Sequence, residues 1–187
     1  MLHRVDILIA DASAARDAFL TALGQPTPGQ SHFRPSPDAW SLADLTEHMT
    51  LAERSGTFGL WKALDGIAHG RPVWSGEPVH AGRPVEAIIA ATWREKETVP
   101  PIAAPTWGAP IGYWIAALRG GHAVLEALGA ALKQLEASGV ALDTVIFPHP
   151  LSGPMDVWQR LEFLRFHLDR HREQVRAVRA HPAFAAA

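Results

Sequence analysis

The chain has 187 residues, of which 48% are hydrophobic and 8% aromatic, so residues 1–187 are long enough for one domain with a substantial core and too short for two. Lys and Arg number 17 against 19 Asp and Glu, and the net charge of −2 without a basic run excludes a nucleic-acid partner. Cysteine is absent, which excludes disulfides, thiolate nucleophiles and thiolate metal ligands and leaves histidine and carboxylate for any metal site.

The N-terminal segment is interrupted by Asp6 and Asp11 before an apolar run reaches the length of a signal peptide. No stretch of the chain approaches the ~20 apolar residues of a membrane span, so we expect a cytoplasmic protein with no membrane partner. Apolar residues from Val5 to Leu23 recur at helical spacing, and Gly24 with the prolines after it supplies a stop signal. These residues predict the first long helix.

A second long helix is predicted after a connection rich in proline, glycine and serine. Ser41 and Asp44 form a start that resembles a capping box, and the helix is expected to run to about Leu64. Between residues 66 and 109 prolines recur, which forbids one long helix, although Pro84 can open a short one. We therefore expect a long crossing segment here.

A third long helix is predicted between Pro110 and Gly139, where leucines recur at helical spacing. Residues 140–154 are predicted to form a loop, and a fourth helix with an apolar stripe follows from Val157 to Val175. Strands are scarce in this pattern. The fold class is therefore expected to be all-α, a four-helix bundle with the long crossing segment between helices two and three.

The fourth helix carries residues outside its apolar stripe that need a partner. Phe163 and Phe166 must be covered by the crossing segment or by a second subunit, because paired exposed aromatics are unfavourable in a monomer, and we favour a homodimer.

Charges of both signs on this helix predict a solvated, ion-paired face. These charged residues are Asp156, Arg160, Glu162, Arg165, Asp169, Arg170, Arg172, Glu173, Arg176 and Arg179.

Three histidines are placed to share a metal ion. His167 and His171 are four residues apart and project from one face of a helix about one turn apart, along the edge of the apolar stripe. On the second helix, His48 borders the stripe that contains Leu45 and Met49. Helical bundles build metal sites from such facing side chains, whereas a lone histidine in this position is more often a hydrogen-bonded core residue.

Three further residues have open roles. His122 is in phase with Leu118 and Leu125, which predicts a position inside the bundle as a fourth ligand, a pocket wall or a satisfied core histidine. His149 precedes the fourth helix and is expected to lie over the site or only to shape the turn. Gln174, three residues after His171, either orients a ligand ring or bonds to solvent.

Three stretches, WSLADLTEHM, REKETVPPIAAP and HPLSGPMDVWQRLEFLRFHLDRHREQV, resemble the DinB-like superfamily of metal-binding four-helix bundles. The similarity spans about residues 35–180 and includes a His-Pro, a Gly and a His-x3-His-x2-Gln pattern in the expected order. The resemblance implies that His48, His167 and His171 are the metal ligands. It gives His122 no ligand role.

Three neutral imidazoles leave a divalent ion with its full charge and an open position, and they favour zinc or nickel over iron or manganese. The resemblance implies a metal-dependent enzyme that transfers a low-molecular-weight thiol, such as bacillithiol or mycothiol, to a small-molecule electrophile. The alternative is a hydrolase in which water on the metal is the nucleophile, with Asp44 or Glu47 as general base. A third hypothesis is a non-catalytic protein that binds a metal or a ligand.

Overall fold

The computed structural model describes residues 2–94 and 98–187. These residues are mostly helical with one small two-stranded sheet, which confirms the predicted all-α class. The long helices are α1 (Arg4–Leu23), α3 (Leu42–Ala68), α5 (Ile111–Ala137) and α6 (Val157–Arg179), and the shorter ones are α2 (Pro28–His32) and α4 (Val85–Thr92). Single 3-10 turns lie at Pro101–Ala103, Leu142–Thr144 and Phe184–Ala186. The four long helices lie where the periodicity predicts them.

The starts of α3 and α6 are fixed by capping boxes. Ser41 accepts a hydrogen bond from the amide of Asp44, whose carboxylate accepts one from the amide of Ser41, as the sequence predicts. Asp156 and Gln159 make the same reciprocal pair at the start of α6. Each box satisfies amide groups that have no partner inside the helix, so the helices that carry His48, His167 and His171 begin at defined residues.

The predicted loop over residues 140–154 is wrong in its second half, where the chain forms an antiparallel hairpin. Strand β1 (Ile146–His149) pairs with β2 (Gly153–Asp156), and Phe147 faces Met155 in the register. Gly153 has a φ of 73°, a conformation that suits glycine at the end of the turn. Strands of four residues are too short for an alternating pattern to reveal them.

The four long helices pack against one another in pairs, α1 on α5 and α6 and α3 on the same two helices. Their apolar faces form two main clusters along the protein. Representative residues are Val5, Leu60, Leu128 and Leu161 in the first cluster and Phe19, Leu45, Leu118 and Val175 in the second. On α6, Leu164 belongs to the first cluster and Leu168 to the second, so His167 lies at the junction between them.

The crossing segment between α3 and α5 covers the aromatic side of α6. Val85 and Ile88 of α4 pack with Met155 and Phe163 in a separate apolar cluster, and Phe166 packs against its edge. Phe163 is only 5% exposed, so its cover comes from the same chain. A second subunit is not needed for this ring, and the homodimer stays a prediction.

The expectation that no stretch approaches the length of a membrane span is wrong for α5, the one helix in the described part of the chain that is long and apolar enough to cross a membrane, judged by length and composition alone. Core helices of soluble proteins pass the same test. Alanine, leucine and isoleucine supply most of this apolar character, and Arg119 and Glu126 interrupt it. The helix buries Leu118, Leu125 and Leu132 against its neighbours.

Candidate metal centre

The three-histidine cluster, formed by His48, His167 and His171, brings together one residue from α3 and two from successive turns of α6. The Nε2 atom of His167 lies 3.3 Å from Nε2 of His48 and 2.9 Å from Nε2 of His171. The ligand atoms of all three residues lie within 4.8 Å of one another. All three side chains are buried. The structure therefore brings together the three residues that the sequence singles out.

Hydrogen bonds at the far side of two rings determine which nitrogen faces the centre of the cluster. Nδ1 of His48 lies 2.8 Å from the carbonyl oxygen of Ala103, and Nδ1 of His171 lies 2.7 Å from the amide oxygen of Gln174. An oxygen of this kind only accepts, so each Nδ1 donates its hydrogen. In a neutral ring the Nε2 atom then carries a lone pair, and both lone pairs face the centre.

Burial keeps these rings neutral. Removal from water, followed by repulsion from neighbouring histidines and Arg170, holds the pKa of His167 well below its ordinary value. Burial, with a smaller contribution from His48, lowers the pKa of His171 to about 3. Burial also lowers the pKa of His48, against the opposing effect of its hydrogen bond to Ala103. Neutral imidazoles are the form that binds a metal ion.

A divalent cation fits the cluster. The lone pairs on Nε2 of His48 and of His171 both point at Nε2 of His167. That atom carries at most one hydrogen, so it cannot donate a full hydrogen bond to both neighbours. Nitrogens bound to a tetrahedral zinc ion at ~2.0–2.1 Å lie roughly 3.3 Å from one another, close to the separations found here. Among the described residues, no carboxylate joins the cluster. The donor set is thus three neutral nitrogens, as zinc or nickel accept.

Aromatic rings hold the imidazoles from outside. The Trp40 ring lies 4.8 Å from the His48 ring between centroids and stacks on the His171 ring at 6.1 Å. Phe163 stacks on His167 at 5.1 Å with an angle of 24°. These contacts restrict ring rotation, so the nitrogens are positioned before any ion arrives.

A cavity of about 730 Å³ adjoins the cluster. Its wall includes all three histidines of the cluster, and the crossing segment contributes Val99, Pro100 and Ile102 to it. Trp93 and Phe163 add aromatic surface. Sites for small molecules are concave and mostly apolar with few polar groups, and this cavity has that character. The centre is therefore reachable by a small molecule.

His149 both shapes its turn and lies over the site, so the two predicted roles are found together. Its Nδ1 accepts hydrogen bonds from the amides of Leu151 at 3.2 Å and Ser152 at 3.1 Å. Its ring packs edge-on to Phe163 and lines the cavity. Burial, then the charge of Arg160, lowers the pKa of His149 to about 3, so the ring is neutral.

The prediction that His122 lies inside the bundle is wrong. Its side chain is 45% exposed and lies 3.3 Å from Glu126, its neighbour one turn along α5. Its Nδ1 lies 3.1 Å from the hydroxyl of Ser13 and 3.4 Å from Arg16. A step of four residues from Leu118 turns about 40° past the apolar stripe, which brings the ring to the rim of the helix interface.

The two carboxylates considered as general bases have other partners. Asp44 forms the helix cap described above and pairs with Arg34 at 2.9 Å. Glu47 accepts hydrogen bonds from the amides of Trp107 at 2.7 Å and Gly108 at 3.1 Å, so it anchors the crossing segment. Neither carboxylate faces the cavity.

The prediction of a solvated face fails at Arg160 and holds at several other positions. Arg165, Arg172 and Arg176 form surface ion pairs with acidic neighbours. Arg160, however, is 5% exposed and lines the cavity. A sequence signal existed, because Arg160 is seven residues before His167 and therefore lies on the same face of α6.

Fold and site together define a helical protein with a buried cluster of three neutral imidazoles beside an open cavity. The sequence matches the family model of the DinB superfamily over residues 12–175, and the chain belongs to that superfamily. No curated protein and no solved structure matches the chain. Of the three stretches that carry the resemblance, REKETVPPIAAP includes residues 95–97, which lie outside the described residues.

Proposed function

We propose that the protein binds a divalent metal ion through Nε2 of His48, His167 and His171. One observation carries this proposal. Hydrogen bonds at Nδ1 of His48 and of His171 leave a lone pair on Nε2 of each ring, and both lone pairs point at Nε2 of His167. Zinc or nickel suits this donor set better than iron or manganese. Elemental analysis of the purified protein tests it, with one ion per chain expected and loss of the ion in His48→Ala.

We further propose that the protein is a metal-dependent transferase that joins a low-molecular-weight thiol to a small electrophile. A divalent ion with an open position supplies the chemistry of holding the thiol sulfur as a thiolate near neutral pH. Membership of the DinB superfamily and the adjoining cavity support this proposal. The sulfur forms a bond to the electrophilic carbon, the leaving group departs with its electron pair, and the thiol proton passes to solvent.

The chain's own residues perform three tasks in this proposal. Ala103 and Gln174 orient two ligand rings, and the Trp40 and Phe163 rings limit their rotation. The mostly apolar cavity wall, which includes Trp93 and Phe163, gives an electrophile surface to pack against beside the metal centre. The absence of cysteine from the chain means that the thiol comes from a cosubstrate.

Hydrolysis is the second candidate, and Asp44 and Glu47 give it no support because both carboxylates have structural partners. A non-catalytic binding protein is the third. One assay separates the three candidates. The protein is reconstituted with zinc or nickel, and its consumption of 1-chloro-2,4-dinitrobenzene or of an ester is measured with and without bacillithiol or mycothiol. Transferase activity requires both metal and thiol. Hydrolysis without thiol favours the second candidate, and no turnover favours the third.

The matched variants for this assay are His48→Ala and His122→Ala. We expect His48→Ala to lose activity because one of three ligands is gone. His122→Ala makes the same chemical change at the half-exposed rim of α5, outside the cluster, and is expected to retain activity. Equal activity in both variants contradicts the proposed metal centre.

The remaining expectations belong to the same proposal. We propose that the four long helices form the four-helix bundle of the superfamily, within a single domain over residues 1–187. A cytoplasmic location and a homodimer stay predictions from the sequence. Size-exclusion chromatography with light scattering tests the oligomeric state.

A further inference from the structure

Arg160 is a buried cation with no counter-ion among the residues that the structure describes. The side chain is 5% exposed, and its Nε and Nη1 atoms are buried with no hydrogen-bond partner among residues 2–94 and 98–187. Removal from water lowers the pKa of Arg160 to about 10, with no described carboxylate acting against that shift. The guanidinium therefore keeps its charge near neutral pH.

What surrounds the guanidinium only partly offsets this burial. Its Cζ atom lies 5.7 Å from the centre of the Phe147 ring and 5.8 Å from the centre of the Phe163 ring. Gly56 on α3 leaves room for it, since a Cβ there would lie 3.3 Å from Nη2. Attraction to aromatic faces is weak beside the cost of burying an unpaired charge. A bound anion would remove that cost.

Arg160 is part of the wall of the cavity that adjoins the proposed metal centre. The Phe163 ring stands between the two, with its centre 5.1 Å from the His167 ring and 5.8 Å from Cζ of Arg160. Arg160 and His167 lie two turns apart on one face of α6, roughly 10 Å along the helix. A small molecule can therefore reach both ends of the cavity at once.

His149 adds a second donor to the same wall. Its Nδ1 accepts two backbone hydrogen bonds, so the hydrogen of the neutral ring is on Nε2. The ring packs on Phe163 at 4.6 Å between centroids. This part of the cavity thus offers a positive charge and an N–H donor. The carboxylates in the described lining of the cavity are Asp38 and Glu53, and Glu53 is paired with Arg16.

We propose that Arg160 binds the carboxylate of the small molecule that occupies this cavity, with Phe163 against its apolar body and its reacting end at the metal centre. One guanidinium matches one carboxylate in charge, whereas a phosphate dianion would leave excess negative charge. The proposal rests on the proposed function in taking this ligand to be a substrate. Anion binding by Arg160 itself does not require the metal.

The test is a titration of the full chain, as purified and after chelation, with phenylacetate, its neutral amide phenylacetamide, and phenyl phosphate. Trp40 and Trp93 line the cavity, so a change in the intrinsic tryptophan fluorescence of the protein reports binding. We expect phenylacetate to bind at least about tenfold more tightly than the amide, before and after chelation, because a charged hydrogen-bonded pair is lost with the amide. Tighter binding of phenyl phosphate than of phenylacetate overturns the assignment to carboxylates.

Two variants make the same change on one helix. Arg160→Met is expected to weaken phenylacetate binding at least about tenfold. Arg165→Met, at a partly exposed position paired with Glu86 and Asp169, is expected to leave it unchanged. Equal binding by both variants overturns the proposal.

The melting temperature of the ligand-free variants separates binding from a structural role. Replacing an unpaired buried cation by an apolar side chain of similar size is expected to leave Arg160→Met at least as stable as the parent. A clear fall in its melting temperature overturns the proposal, since Arg160 would then be needed for folding. The two proposals can also fail separately. If the protein shows no metal-dependent activity but still binds phenylacetate after chelation, the proposed function is contradicted and anion binding by Arg160 stands.

Discussion

Gln174 and His171 are joined across one turn of α6 by a contact of 2.7 Å between the amide oxygen and Nδ1. This contact fixes the ring nitrogen that faces His167 and makes it a better electron donor. Gln174 therefore acts on the proposed metal centre through His171, whose ring it orients.

Substituting Gln174→Leu is therefore expected to weaken metal binding by about 10- to 100-fold while retaining all three ligands. Competition with a fluorescent zinc chelator measures the affinity. Gln134→Leu, the same change at an exposed position of α5, serves as the control. Equal affinity in the two variants would show that Gln174 does not orient His171.

Removing the metal is expected to lower the melting temperature without unfolding the protein, because two apolar clusters hold the long helices together. An ion present at 1,000 times its Kd stabilises the folded state by about 4 kcal/mol, which is roughly 10 °C for a chain of this size. Thermal unfolding with and without chelator, followed by far-UV circular dichroism, measures the change. Loss of the helical signal on chelation at 25 °C would instead mean that the ion is structural.

The metal-free protein should lose stability as the pH falls from 6.5. The pKa of His171 is about 3 in the folded protein and takes its ordinary value of 6.5 in the unfolded chain, so only the unfolded chain takes up the proton in this range. Above pH 6.5 the ring is neutral in both states and the contribution is complete. Each such histidine costs up to about 1.4 kcal/mol per pH unit.

Urea unfolding of the chelated protein at pH 7.5, 6.0 and 5.0 measures this dependence. Comparison with His171→Asn removes the contribution of His171 together with the effect of its ring on the pKa of His167. The variant should show a shallower fall in the free energy of unfolding. Identical slopes would mean that His171 is protonated equally in the two states.

Substituting Asp44→Ala should reduce the free energy of unfolding by about 1 kcal/mol and leave metal affinity and turnover unchanged. The carboxylate closes the capping box of α3 and pairs with Arg34, so its loss removes a helix cap. Asp17→Ala, at an exposed position within α1, is expected to change stability by less than about 0.5 kcal/mol. Loss of activity without loss of stability in Asp44→Ala would restore this residue as a general base.

The long helices and the three-histidine cluster could be predicted because both depend on helical periodicity. A spacing of four residues places His167 and His171 on one face whatever surrounds them, and the border of an apolar stripe directs His48 inward. The capping box at Ser41 and Asp44 is equally local. Local rules are sufficient for these features.

Features that depend on long-range packing could not be predicted in this way. The residue type of Arg160 favours a charged surface, but the hairpin brings Phe147 over the guanidinium and buries it. The prediction for His122 is wrong because the residue lies about 40° past the apolar stripe of α5. The acceptor for His48 comes from a backbone carbonyl 55 residues away, and a carbonyl has no signature in the sequence.

That carbonyl belongs to Ala103 in the crossing segment, and every residue type would provide the same atom. An alanine scan would pass over the contact, because no side-chain change at position 103 deletes it. Shortening the segment by one residue between Pro101 and Pro105 would move it, since the path of the main chain sets where the oxygen lies. A change in the length of this segment is therefore expected to disturb the orientation of His48 more than a change in its residue types.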